Sequence, residues 1–158
     1  MNIVALNNEN RAVVDQYIKE EWGGSKIVTL GNLYNTNVLP GYVMMDGERV
    51  LGAILYRLVG EECEIAVLYS LLENRGVGSA LIRQVISAAT ESGCGRVWLV
   101  TSNDNTHAIR FYQRFGFDLK RVHINSFEVI RKFNPDLPEC GIDDIPLAHE
   151  FEFELWLK

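Results

Sequence analysis

The chain has 158 residues, 47% of them hydrophobic and 23% charged, which suits a single folded domain with one core and excludes a disordered chain. Acidic residues outnumber basic ones by 21 to 15, for a net charge of -6, and counterion release from a nucleic acid needs the opposite balance. Three cysteines, Cys63, Cys94 and Cys140, form neither a disulfide pattern nor a zinc site, and no leader or long apolar run is visible, so a reduced, cytoplasmic protein outside the membrane is expected.

Ile3 to Leu6 reads as a first strand. From Asn8 the apolar positions Val14, Tyr17, Ile18 and Trp22 share a helical face that ends at Gly23 and Gly24. A loop containing Asn35, Asn37 and Pro40 comes next. Tyr42 to Met45 then reads as a strand, Asp46-Gly47 as a hairpin turn, and Val50 to Leu58 as the returning strand. Gly60 to Glu62 turns the chain again into Glu64 to Leu72, β-rich and almost continuously apolar. Three antiparallel strands in a row are expected.

The period then changes. Leu81, Ile82, Val85, Ile86 and Ala89 have helical spacing, with Gly76 and Gly78 before them and Gly93 after. Arg96 to Thr101 is the next strand. A helix from about Asn105, presenting Ala108, Ile109 and Tyr112, stops at Gly116, and Phe117 to Ile124 returns as a strand. Ser126 to Phe133 reads as a short helix, Pro135, Pro138 and Pro146 break up the segment after it, and Glu150 to Leu155 alternates as a half-buried strand. This order suits an α/β sheet with helices on its faces.

The stretch Glu73-Asn74-Arg75-Gly76-Val77-Gly78-Ser79 lies between a strand and an amphipathic helix. Glycines let backbone approach a ligand closely, and the unpaired N–H groups of a helix's first turn favour an anion such as phosphate. The segment lacks the Gly-Lys-Ser/Thr of a nucleotide P-loop, and Leu81 occupies the third glycine position of a dinucleotide fingerprint.

Glu73 to Gly78 resembles the Gln/Arg-X-X-Gly-X-Gly/Ala motif of the GNAT acyltransferases, with Glu73 in the first position. Asn105, Ala108, Phe111, Tyr112, Gly116 and Phe117 match the Asn-X-X-Ala-X-X-Phe-Tyr and Gly-Phe pattern that the family commonly carries further on. The two motifs span about Ala66 to Phe117.

The resemblance implies one N-acetyltransferase domain over residues 1–158. Its fold would be a mixed, mostly antiparallel twisted sheet of about seven strands with helices on both faces, splayed at the acyl-CoA site. It further implies acetyl-CoA as cosubstrate and no metal. The pyrophosphate would lie against Arg75, Gly76, Val77, Gly78 and Ser79, with Asn74 beside it. The pantetheine would run along Leu68, Tyr69 and Ser70, where that strand parts from Val97 to Val100, and Asn105 would help to hold it. Arg75 can offset the charge of Glu73.

Tyr112 is the candidate general acid for the departing thiolate, because a phenol with a pKa of about 10 is protonated at neutral pH. The bland alternative is a ring packed in the core. An ammonium cannot attack a thioester, and Glu64 is the candidate base, with Glu62 behind it. Strand alternation places both on one face with Ala66 and Leu68, although carboxylates beside a turn are commonly just solvated. His107, His123 and His149 have no metal or catalytic spacing, and Cys94 lacks an adjacent base.

The acceptor site is expected near Trp22, Tyr34 and the segment from Asn134 to Pro146. The reading is direct transfer of an acetyl group to a primary amine, and a homodimer is compatible with it. A non-catalytic acyl-CoA sensor and an interaction module built on the acidic strand Glu150 to Glu154 are the rival readings.

Overall fold

The computed structural model describes residues 1–158. Nine strands and four helices succeed one another as β1 (Asn2–Ala5), α1 (Asn8–Trp22), β2 (Lys26–Thr29), β3 (Asn32–Asn35), β4 (Gly41–Asp46), β5 (Arg49–Val59), β6 (Glu62–Ser70), α2 (Val77–Glu91), β7 (Arg96–Ser102), α3 (Thr106–Phe115), β8 (Asp118–His123), α4 (Ser126–Phe133) and β9 (Glu150–Trp156). Seven strands are hydrogen-bonded in the order β1-β4-β5-β6-β7-β9-β8, while β2 and β3 form a separate two-stranded ribbon. The pairs β1–β4, β4–β5, β5–β6 and β8–β9 are antiparallel. The expected mixed, mostly antiparallel α/β sheet is therefore present.

The chain divides into two compact units: Met1–Ile27, Tyr34–Val97 and Leu157–Lys158 form the first, and Val28–Leu33 with Trp98–Trp156 the second. In the first, α1 starts with a capping box. The Asn7 side chain accepts from the Asn10 backbone while the Asn10 side chain accepts from that of Asn7, satisfying otherwise orphaned donors. The helix ends at Gly23 in the left-handed region, φ 77°.

Val14 and Ile18 of α1 pack with Val43, Ala53, Leu55, Val67 and Tyr69 into one core. The opposite face of the same strands receives α2. A Cβ on Gly52 would come within 2.6 Å of the Tyr69 carbonyl oxygen and 2.9 Å of a Val77 methyl. Because Gly52 and Ala53 point to opposite faces, glycine at 52 is what lets α2 sit tightly on the strands. The first unit thus has a helix on each side of its sheet.

In the second unit, Tyr112 of α3 lies edge-on to Phe117, ring centroids 5.7 Å apart, and tilted against Phe153 at 6.1 Å. Phe153 is fully buried, and its neighbours Glu152 and Glu154 project from the other face of β9. The charged alternation read from sequence is real, but each of Glu150, Glu152 and Glu154 is only 7% exposed. Lys120 and His123 of β8 lie against two of them, at Glu154 and Glu152.

Two local features depart from expectation. The stretch read as a loop before Pro40 contains the β2–β3 hairpin, turned by Leu30 and Gly31 at φ 50° and 82°. A two-residue turn with both residues at positive φ matches the twist of its strands, yet leucine in that position is no turn signal. The second departure is a bulge. Leu55 pairs with Val67 and Tyr56 with Ile65, so Ala66 is the extra residue in β6.

Candidate active site

The chain between β6 and α2 forms a tight loop. Asn74 and Gly76 take positive φ of 56° and 74°, and Gly76 is the N-cap of α2 with no side-chain hydrogen bond over the helix end. The first helical bond runs from Ala80 N–H to the Gly76 carbonyl at 3.0 Å. The N–H groups of Val77, Gly78 and Ser79 are then the natural orphans of the first turn, and no acidic residue stands among them. An N-terminus without a side-chain cap and without a carboxylate in its first turn fits a phosphate-bearing ligand. Glu73 and Arg75 are both exposed at the loop.

Ser70 closes the strand end on itself. Its hydroxyl donates to the Leu72 carbonyl at 2.7 Å and accepts from Leu72 N–H at 3.2 Å. The Tyr69 side chain belongs to the core, stacked on Tyr17 with centroids 3.7 Å apart. Burial, and then Tyr17 beside it, pushes its phenol pKa up to about 12. For Tyr69, a ligand along this strand would find main chain rather than side chain. Leu68, paired with Ile54, points the other way.

The bulge at Ala66 changes the face on which Glu64 lies. Arg57 pairs with Glu64 and Leu55 with Val67, and residues 55 and 57 share a face. Glu64 therefore projects on the α1 side with Val67 and Tyr69, not with Ala66 and Leu68 as unbroken alternation implied. Nor is it a solvated turn carboxylate. It is 2% exposed, Tyr34 donates to its Oε1 at 2.7 Å, and Arg57 donates to Oε2 through Nη2 at 2.8 Å and Nε at 3.2 Å. The same guanidinium lies over the Tyr34 ring, 4.5 Å from its centroid. Glu62, in contrast, is half exposed and meets Arg96 at 3.3 Å.

Two partners of Glu64, Arg57 and Tyr34, lie outside the residues that the two motifs mark. The two-residue turn Gly60-Glu61 fixes Val59 opposite Glu62, so counting back along β5 places Arg57 opposite Glu64. Nothing in the sequence signals that Tyr34 reaches Glu64, from 30 residues away, through β3.

In the second unit, Asn105 is the N-cap of α3, its Oδ1 accepting from Ala108 N–H at 3.1 Å. That leaves its amide NH2 as the group for any further contact. Tyr112, one helical turn after Ala108, is 8% exposed. Burial alone raises its phenol well above the usual tyrosine range, so it is a proton donor at neutral pH.

Asn103 and Asp104, just before the cap, tie down the proline-containing segment. Asn103 Oδ1 accepts from Ala148 and His149 N–H, its Nδ2 donates to the Pro146 carbonyl, and Asp104 Oδ2 accepts from Ile142 N–H at 2.9 Å. These bonds join residues about forty positions apart in sequence and leave no local signal.

His107 is exposed near the start of α3, His123 meets Glu152 at 2.9 Å, and His149 Nδ1 accepts from Asn125 N–H. Cys63 and Cys94 are buried. Burial chiefly, then Cys94 and Glu64, pushes the Cys63 thiol up to about 12, and burial and then Glu61 raise Cys94. Neither has the lowered pKa of a nucleophilic cysteine. No helix is long and apolar enough to cross a membrane.

A strand, a glycine loop and a helix N-terminus beside an antiparallel sheet, with an Asn-capped helix bearing a buried tyrosine after them, define an acyltransferase fold of the kind the two motifs implied. Residues 11–117 match the acetyltransferase (GNAT) family, and the chain belongs to that family. It is 34% identical to the uncharacterized protein YxbD of Bacillus subtilis over 151 residues, 95% of each chain. A GNAT family acetyltransferase from Elizabethkingia anophelis, solved with acetyl-CoA bound, superposes with a TM-score of 0.71 at 18% identity, covering 99% of this chain and 97% of the other. A Bacillus subtilis acetyltransferase in complex with CoA gives 0.72 at 17% identity, covering 99% of each.

Proposed function

We propose that this enzyme transfers the acetyl group of acetyl-CoA directly to a primary amine, working in the cytoplasm as one N-acetyltransferase domain over residues 1–158. The observation that carries the reading is the uncapped N-terminus of α2 behind the positive-φ loop at Asn74 and Gly76, within a chain of the acetyltransferase (GNAT) family. Solved neighbours that hold acetyl-CoA or CoA support the choice of cosubstrate.

Bound acetyl-CoA supplies the acetyl thioester. The N–H groups of Val77, Gly78 and Ser79, with Asn74 and Arg75, hold the pyrophosphate. The main chain at Leu68, Tyr69 and Ser70 and the amide of Asn105 bind the pantetheine amides as a strand edge would. Backbone N–H groups of β6 polarise the carbonyl. Glu64 takes the proton of the acceptor ammonium so that a neutral amine can attack, and Tyr112 gives a proton to the sulfur as the thiolate leaves.

Mass spectrometry of the purified protein with acetyl-CoA and a panel of polyamines, amino acids, aminoglycosides and lysine peptides tests the reading. An amine gaining one acetyl group is the expected result. CoA binding with every amine left unmodified would make the protein an acyl-CoA sensor instead.

A further inference from the structure

We infer that Tyr34 is a catalytic residue, the group through which Glu64 collects the proton of the acceptor amine; this rests on the acetyl-transfer reading proposed for the site. Access to the carboxylate is the first consideration. Glu64 is 2% exposed, and Arg57 occupies Oε2 with two donors, at 2.8 and 3.2 Å. The remaining oxygen, Oε1, is covered by the Tyr34 hydroxyl at 2.7 Å. The phenol is therefore the group hydrogen-bonded to the oxygen that Arg57 leaves open.

Tyr34 is suited to that position. It is half-buried and packs against the α1 core. Its ring is held by the Arg57 guanidinium 4.5 Å from the centroid, and β3, on a short two-stranded ribbon, delivers it. A hydroxyl both accepts and donates, so it can pass on a proton without a net change.

One N–H bond of the acceptor ammonium breaks and its electron pair remains on nitrogen as the attacking lone pair. That proton bonds to Tyr34 Oη as the original Oη–H proton moves to Glu64 Oε1. The ammonium and the carboxylate become a neutral amine and a neutral acid, and the phenol ends as it began. Glu64 returns the proton to solvent along the same path after the product leaves. Arg57, fixed on Oε2, leaves Oε1 as the oxygen that receives the proton.

Two measurements test this. The first needs no acceptor: with ¹³Cζ-labelled tyrosine, the Tyr34 resonance, assigned by its loss in Tyr34→Phe, should move in Glu64→Gln, where the carboxylate that its hydroxyl meets is replaced. An unmoved resonance overturns the proposal. The second measures CoA release from acetyl-CoA with each amine of the panel. Tyr34→Phe keeps the ring and its stack on Arg57, yet should lower kcat by about 10²-fold or more at low pH. The loss should narrow as pH rises and the amine deprotonates unaided. The double variant Tyr34→Phe/Glu64→Gln should be no slower than Glu64→Gln alone, because two members of one relay are lost only once. Parent turnover with an unchanged Tyr34→Phe rate, or losses that multiply, overturns the relay and leaves the acetyl-transfer reading standing. No CoA release with any amine removes that reading and the relay with it.

Discussion

Arg57 and Glu64 face each other across the β5–β6 hairpin, with Nη2 2.8 Å from Oε2 and side-chain exposures of 28% and 3%. The carboxylate has been withdrawn from water, and the guanidinium replaces part of what it lost. Such pairs add little over an apolar pair, but removing one partner leaves the other exposed to the full desolvation penalty. Arg57→Ala is therefore expected to cost about 1.5 to 3 kcal/mol, the range for hydrogen bonds to charged groups. Arg57→Ala/Glu64→Leu should recover much of the loss. Chemical denaturation of the three proteins measures it, and equal stability of Arg57→Ala and parent would mean that water replaces the arginine.

The α2 N-terminus gives a second expectation. Acetyl-CoA and CoA should raise the melting temperature in a saturable way, by about 5 to 10 °C at a hundredfold excess over Kd, because ligand that binds only the folded state stabilises it by mass action. Adenosine should do far less. Gly78→Asp adds a negative charge and a side chain in the first turn of α2, where an anion is expected, and should abolish the shift while the protein stays folded. A shift that survives would move the phosphate site elsewhere.

Most elements are legible in the sequence because their period or punctuation is strong. The face Val14, Tyr17, Ile18 is helical in spacing and closed by Gly23. Asp46-Gly47 joins two β-rich runs, and Gly116 comes directly after the last turn of α3. The features that are not legible depend on contacts distant in sequence. Leu30 sits at φ 50° without a turn signature, and Ala66 becomes a bulge only through its pairing with β5. The glycine turn before α2 and the start of α3 near Asn105 are readable because Gly76 takes positive φ and Asn105 caps its helix. Of the partners of Glu64, Arg57 follows from the Gly60-Glu61 turn, whereas Tyr34, 30 residues away on β3, has no local signal.

Alkaline pH supplies a third expectation. The Tyr69 phenol and the Cys63 thiol are both pushed up to about 12 by burial, from ordinary values near 10 and 9. Each folded pKa lies above its unfolded one, so the stability tied to the neutral form is intact below the unfolded value. It is lost as pH rises through the folded one. The protein should hold its stability up to about pH 9 and lose it progressively between about 9 and 12. Tyr69→Phe and Cys63→Ala should each flatten part of that fall, measured by denaturation at a series of pH values. An unchanged slope in both would mean that these groups titrate in the folded protein as they do in the unfolded chain.

Tyr112→Phe separates chemistry from packing at the centre of the proposed mechanism. The ring lies between Phe117 and Phe153, and the substitution keeps it there while removing one oxygen. If Tyr112 gives its proton to the leaving thiolate, kcat should fall by about 10² to 10⁴-fold, the usual contribution of a general acid, with acetyl-CoA binding nearly intact. Burial that holds the phenol neutral adds a second signature. The parent rate should show no loss of the acid until well above the ordinary tyrosine range, because the donor stays protonated there. A tyrosine that only fills the core predicts the reverse: a change in melting temperature of the order of a lost hydrogen bond and little specific loss of rate. Calorimetry and steady-state kinetics on one preparation read both quantities. A kcat within about twofold of the parent would remove Tyr112 from the chemistry and assign protonation of the thiolate to another donor.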